Sequence, residues 1–217
     1  MIAKKRPDSR LLFDPEGLGL SEPARGFYRR ATETVARGLV GAWIARRWRG
    51  RWYGGRIVET EAYVGTRDRA AHSWGGRRTE RVEPMYADGG HLYVFLVYGM
   101  HHCANVVTRR AGVPEAVLLR AAQGPEGSPE RLMAGPGKLC AELGLTTGDS
   151  GSDLLGDGAL RIFARKGGRP VLGVSPRIGV DYAGDAKDWP LRFFDRNSGA
   201  VSGSRPAPRR RRARRRP

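Results

Sequence analysis

Apolar positions recur along the chain with two periods, and each predicts a kind of element. Ile57-Val-Glu-Thr-Glu-Ala-Tyr63 is rich in β-branched residues and ends near Gly65, which predicts a strand. Side chains alternate along a strand, so Glu59, Glu61 and Tyr63 share one face and Val58, Thr60 and Ala62 the other. The runs 92–100 and 101–108 are also apolar and β-rich. They read as a hairpin, or as one strand bent at Gly99. Shorter runs predict strands at 39–43, 116–121, 161–164 and 191–194, with 46–55 as the return towards Arg56. A helical period governs Ser21 to Ala36. Ala24, Phe27, Ala31 and Val35 fall on one stripe, Ser21 is placed to cap, and Pro23 suits the first turn. Residues 1–20 lack a period and are expected to be loose. Residues 124–135 are punctuated by Pro and Gly. The sum is an α+β fold, a single domain over 21–202. It is expected to hold a mostly antiparallel curved sheet with peripheral helices and a protruding β-hairpin.

Composition narrows the class. A chain of 217 residues with 40% hydrophobic content suits one sizeable domain. Its formal net charge of +17 and pI near 11.0 call for an anionic partner, of which nucleic acid is the usual one. Eight arginines and no acid lie in 203–217. This stretch cannot bury a core and is expected to be disordered when free. It is either a sequence-blind phosphate hook or an extension without a role. No apolar run is long enough to span a membrane, and no apolar stretch follows the first positive charges as in a signal peptide. Cys103 and Cys140 do not make a disulfide framework, so both are expected to be reduced in a cytoplasm.

Candidate chemistry begins on the 57–63 strand. Two carboxylates and a tyrosine backed by small and apolar residues suit a general base beside a ring that holds a flat substrate. The same pattern describes the polar outside of an ordinary half-buried strand. Tyr98 stands just before Gly99, where a ring carried on a bend could wedge a base stack. Tyr93, Phe95 and Val97 share a face and can equally be core. His101, His102 and Cys103 are adjacent and point to alternate faces, and Cys140 is distant, so no metal is expected. Gly135-Pro-Gly-Lys138 is too short for a phosphate-cradling loop.

Ten short motifs in order extend this reading: Arg56-Ile-Val-Glu-Thr-Glu-Ala-Tyr63, Ala71-His-Ser73, Met85-Tyr86, Gly90-His-Leu-Tyr-Val-Phe95, Tyr98-Gly-Met100, Asn105, Leu118-Leu-Arg120, Gly135-Pro-Gly-Lys-Leu-Cys140, Pro176-Arg-Ile-Gly-Val180 and Pro190-Leu-Arg-Phe-Phe194. From about residue 20 to 202 the chain resembles the alkyladenine (3-methyladenine) DNA glycosylase family.

That resemblance implies an enzyme that flips a damaged purine out of duplex DNA. It implies Glu61 as the base that activates water, and Arg120 as a water ligand that keeps Glu61 ionised. A backbone carbonyl at Ile178 would touch the same water. Tyr63 and His72 are expected on one face of the flipped base and Phe95 on the other, where many members carry tyrosine. Asn105 would crowd the amino group of guanine. Tyr98 would fill the gap left in the DNA, supported by Met100. Lys138 is limited to a phosphate contact, and Glu59 is read as a structural carboxylate paired with an arginine. The segment 124–135 is shorter than in the family, so a helix found there in other members is expected to be trimmed or lost. With no lysine among these residues the enzyme would be monofunctional. It would act as a monomer on double-stranded DNA carrying alkylated or deaminated purines, in a bacterial cytoplasm, without cofactor or metal. The alternatives are a noncatalytic DNA-binding protein and another nucleic-acid or nucleoside hydrolase. The first should lose Glu61 or Arg120, and the second has no need of Tyr98 or of the charge.

Overall fold

The computed structural model describes residues 7–203. The Arg-rich stretch therefore lies outside the described residues, apart from Gly203. Among the described residues the chain runs in order through β1 (Leu12–Phe13), α1 (Arg25–Tyr28), α2 (Thr32–Leu39), β2 (Trp43–Trp48), β3 (Arg51–Tyr63), β4 (Leu92–Val97), β5 (His101–Thr108), β6 (Glu115–Gln123), β7 (Met133–Ala134), α3 (Pro136–Leu143), β8 (Leu160–Phe163), β9 (Leu172–Ser175) and β10 (Arg192–Asp195). The strands make one antiparallel sheet, and β3 is its spine. Its first half pairs with β2 and β1, and its second half with β6 and β10. This is an α+β domain. No helix of the described residues is long and apolar enough to cross a membrane.

β3 is longer than the period predicts because of two glycines. Gly54 and Gly55 belong to the stretch expected as the return towards Arg56, yet both lie inside the strand. A Cβ at Gly54 would collide with the Ile44 carbonyl oxygen, and one at Gly55 would stand 2.7 Å from that of Gln123. Glycine is there to let neighbouring backbones close in. The strand expected at 39–43 is displaced for a related reason. Leu39 ends α2 with its side chain in the core, and pairing starts only at Trp43.

The helix expected over 21–36 is two short ones. Thr32 is fully buried, with its hydroxyl 2.7 Å from that of Thr108 and hydrogen-bonded to Glu115. This anchor restarts the helix at residue 32 and leaves Ala24 and Ala31 exposed, against the predicted stripe. Ser21 makes no cap. Residues 7–20 are not loose. Leu11 is fully buried, β1 pairs with β3, and Phe13 stacks on Trp43 at 4.6 Å. Residues 124–135 are turns that end in β7, and hold no helix.

Two irregularities decide which way β3 points its carboxylates. Ile57 pairs with Ala122, Glu59 with Ala121 and Thr60 with Leu119, so Val58 and Arg120 have no partner across the ladder. Such bulges re-aim side chains. Val58 consequently packs with Ala121, Ala200 and Val201, rather than sharing the core face of Ala62 as strict alternation requires. The core lies on the other side of β3, under α2. There Val35, Ala36 and Leu39 are buried, and the Thr60 hydroxyl donates to the Ala36 carbonyl at 3.0 Å.

Candidate active site

Glu61 is fully buried and held by three donors. Its Oε1 accepts from the Ile178 backbone N–H at 2.8 Å. Its Oε2 accepts from the Tyr63 hydroxyl at 3.0 Å and from Arg120 Nη1 at 3.3 Å. Burial pushes the carboxyl above the usual carboxylate range, and Glu59 adds to the rise. Arg120, the Ile178 amide and the Tyr63 hydroxyl oppose it without cancelling it. Arg120 therefore favours the ionised form of Glu61, and burial opposes it. Ile178 meets Glu61 through its N–H, on the opposite side of the residue from the expected carbonyl contact.

Arg120 links both carboxylates. Burial works against its charge, but Glu61 and Glu59 outweigh this and its pKa is raised. Its Nε donates to Glu59 Oε1 at 3.1 Å, and its Nη2 to the Ser202 hydroxyl at 3.1 Å. Glu59 is fully committed elsewhere: Arg192 Nε donates to it at 2.6 Å and the Ser202 N–H at 2.6 Å. Two arginines and an amide make it a structural carboxylate.

A cavity of about 420 Å³ opens in front of Arg120. Tyr63, His72, Phe95 and Asn105 all line it, with Tyr98 and Ile178 also contributing. Met100 and Lys138 do not. Met100 is 71% exposed beside Tyr98, and Lys138 is exposed on α3 two residues after Pro136, which does line the cavity. Glu61 sits behind the wall.

The rings are arranged differently from expectation. His72 and Phe95 touch edge to face, with centroids 4.5 Å apart. They form one corner of the cavity and leave no slot between them, so they cannot hold a base from opposite sides as they stand. His72 Nδ1 lies 2.8 Å from the Tyr93 hydroxyl. Burial lowers its pKa, helped by Arg81 and Arg77, so the ring is uncharged at neutral pH. The Arg177 guanidinium covers one face of Tyr63 at 4.7 Å and is itself clamped by Asp68 at 2.5 and 2.8 Å. Only the other face of Tyr63 is open. Asn105 donates Nδ2 to the Tyr93 carbonyl at 3.1 Å, which leaves Oδ1 for a ligand.

Tyr98 and Gly99 form the tip of the β4–β5 hairpin. Both have positive φ, +50° and +69°, and the Met100 N–H donates to the Val97 carbonyl at 3.1 Å. That is the turn geometry favoured between twisted strands. Tyr98 is 88% exposed. Tyr182, 70% exposed, also lines the cavity and was not singled out in the sequence, nor were the side chains of Arg177 and Ser202, and Tyr93 was named only as a core candidate. Arg177 and Tyr93 lie in quoted motifs, whereas Ser202 touches residues 82 and 143 positions away and carries no local signal. Burial raises both thiols, that of Cys103 to about 11. Among the described residues no group of three His, Cys, Asp or Glu could hold a metal ion.

Residues 26–199 match the family described as methylpurine-DNA glycosylase. A Desulfitobacterium hafniense protein is 44% identical over 82% of this chain and 97% of its own length. A Methanocella arvoryzae protein is 40% identical over 84% and 96%, and a Clostridium tetani protein 38% over 78% and 93%. All three bear, as inferred assignments, the name 3-methyladenine DNA glycosylase.

Proposed function

The chain belongs to the methylpurine-DNA glycosylase family, as a DNA-repair hydrolase of N-glycosyl bonds, and from that premise we propose how it selects and cuts its substrate. A damaged purine leaves the duplex stack and enters the cavity, while Tyr98 occupies the space it vacates. The base lies against the open face of Tyr63, with His72 and Phe95 closing one corner. A water beside Arg120 is oriented by Glu61 and attacks the sugar C1′. The glycosidic bond breaks with its electrons leaving on the base, and Glu61 takes the water's proton. An abasic site remains, with the strand intact.

The substrates are alkylated purines of the 3-methyladenine and 7-methylguanine kind. These already carry a positive charge, so the base leaves without acid help. The uncharged state of His72 supports this, because its ring adds no further cation to that of Arg81, which lies over Phe95 in the same corner. A deaminated purine would fit the same cavity but must gain a proton to leave. Asn105, held in place by its bond to the Tyr93 carbonyl, rejects guanine by crowding its amino group. The enzyme works as a monomer, with Lys138 and Met100 against the DNA rather than the base.

The observation that carries this reading is the carboxylate of Glu61, held by three donors behind a base-sized cavity. Its test is Glu61→Gln on a duplex with a single 3-methyladenine. Lesion binding should persist, and single-turnover cleavage should fall by at least about 10²-fold, the low end for general-base help. Near-normal cleavage would remove Glu61 from the chemistry.

A further inference from the structure

A second cavity, of about 610 Å³, lies between α1, α2 and the segment 164–172 that leads into β9. It is on the far side of the molecule from the base cavity, because α2 packs on the face of β3 opposite Glu59 and Glu61. Four arginines line it, Arg30, Arg37, Arg165 and Arg169, and no Asp or Glu does. Eleven arginines of the described residues are ion-paired to carboxylates, and these four are among the fourteen that are not; what sets them apart is that they surround one concavity. Every Asp and Glu side chain of the sequence falls within 7–203, so none elsewhere could neutralise them. Two of the four are nevertheless held in place. Arg37 lies over the fully buried ring of Phe193 at 4.4 Å, and Arg165 donates to the Val40 carbonyl at 3.4 Å. Fixed like charges around one concavity repel one another until an anion enters. Guanidinium pairs match phosphate oxygens in shape as well as charge.

The rest of the wall is apolar, with Phe27 and Leu172 among its members. A bare anion has no use for such a wall, and a duplex backbone presents only its phosphate ridge. We propose that this groove binds a nucleotide, its phosphates on the four arginines and its flat apolar body on the Phe27 side. The volume is within the range of small-molecule sites. Free nucleotides and one unit of a single strand share this chemistry. The proposal stands apart from the glycosylase reading, because none of its residues belongs to the base cavity.

The test is calorimetric titration of the full chain with adenosine diphosphate, inorganic pyrophosphate and an oligothymidylate of about ten nucleotides. Two double variants are compared with the parent: Arg37→Gln/Arg165→Gln, and Arg30→Glu/Arg169→Glu. The second alters exposed side chains only and guards against a folding defect from uncovering Phe193. Adenosine diphosphate should bind the parent more tightly than pyrophosphate, and each variant should lose about tenfold or more, or about 1.4 kcal/mol. Transfer of the same loss to the oligothymidylate would assign the nucleotide to a single strand, and its absence to the free pool. Cleavage of a lesion duplex at saturating enzyme should be unchanged in both variants. Equal binding of adenosine diphosphate by the parent and the variants would overturn the proposal, and so would equal affinity for pyrophosphate. Variants that weaken only intact duplex would also overturn it.

Discussion

Glu61 has to carry a charge in a place that disfavours one. Burial raises its pKa, and Arg120 is the largest influence pulling it back. If the ionised form is the base, the cleavage rate rises with pH as the carboxyl loses its proton. The acid limb of the single-turnover profile should therefore lie above the ordinary value of 4.5. In Arg120→Gln it should move higher still, because the main opposing charge is gone. A limb at or below 4.5, or one indifferent to Arg120, would contradict the assignment. The same shift acts on stability. The folded state binds this proton more tightly than the unfolded chain, so ionising Glu61 costs stability as pH rises from 4.5 through the raised value. At this scale the motifs revealed the carboxylate, the arginine and the ring residues, since each sits in a short distinctive run. They could not reveal what stands behind each group: Arg177 on the back of Tyr63, or Ser202 on Arg120. Those neighbours come from segments far apart in sequence.

At the scale of elements, the β4–β5 hairpin offers a ring to solvent on a tight turn. Tyr98 holds a positive φ that glycine adopts at less cost. Tyr98→Gly thus takes away the ring without straining the turn, which makes it the cleaner test of the wedge. It should weaken extrusion of a lesion in a stable base pair, and do so less for a lesion opposite a mismatch, where unstacking is already cheap. A fluorescent base analogue beside the lesion reports extrusion. Unchanged extrusion from a stable pair would show that the space is filled by another group, with Met100 and Tyr182 the exposed neighbours to examine. The hairpin was legible because its two arms are continuous apolar runs about one glycine. The first helix was misjudged because a buried threonine, not the 3.6-residue period, decides where it restarts. Two glycines of the expected return towards Arg56 lie inside β3, where neighbouring strands pack closely.

For the molecule as a whole, charge is the property that reaches furthest. The +17 of the chain includes eight arginines in 203–217. If these touch phosphates, deleting 203–217 should flatten the dependence of log affinity on log salt by about 0.9 for each phosphate no longer neutralised. Single-turnover cleavage at saturating enzyme should stay the same, since the cavity is intact. An unchanged slope would leave the stretch without a part in DNA binding. Architecture at this scale was the easiest part to anticipate. The antiparallel sheet follows from many short strands with turns between them, whereas the anchoring of 7–20 against β3 has no periodic signature. The N–H of Ser202 is bound to Glu59 and its hydroxyl to Arg120, and the next residue is the last one described. Ser202 is thus the last clamp of the described chain, closing the back of the candidate site on Glu59 and Arg120 together.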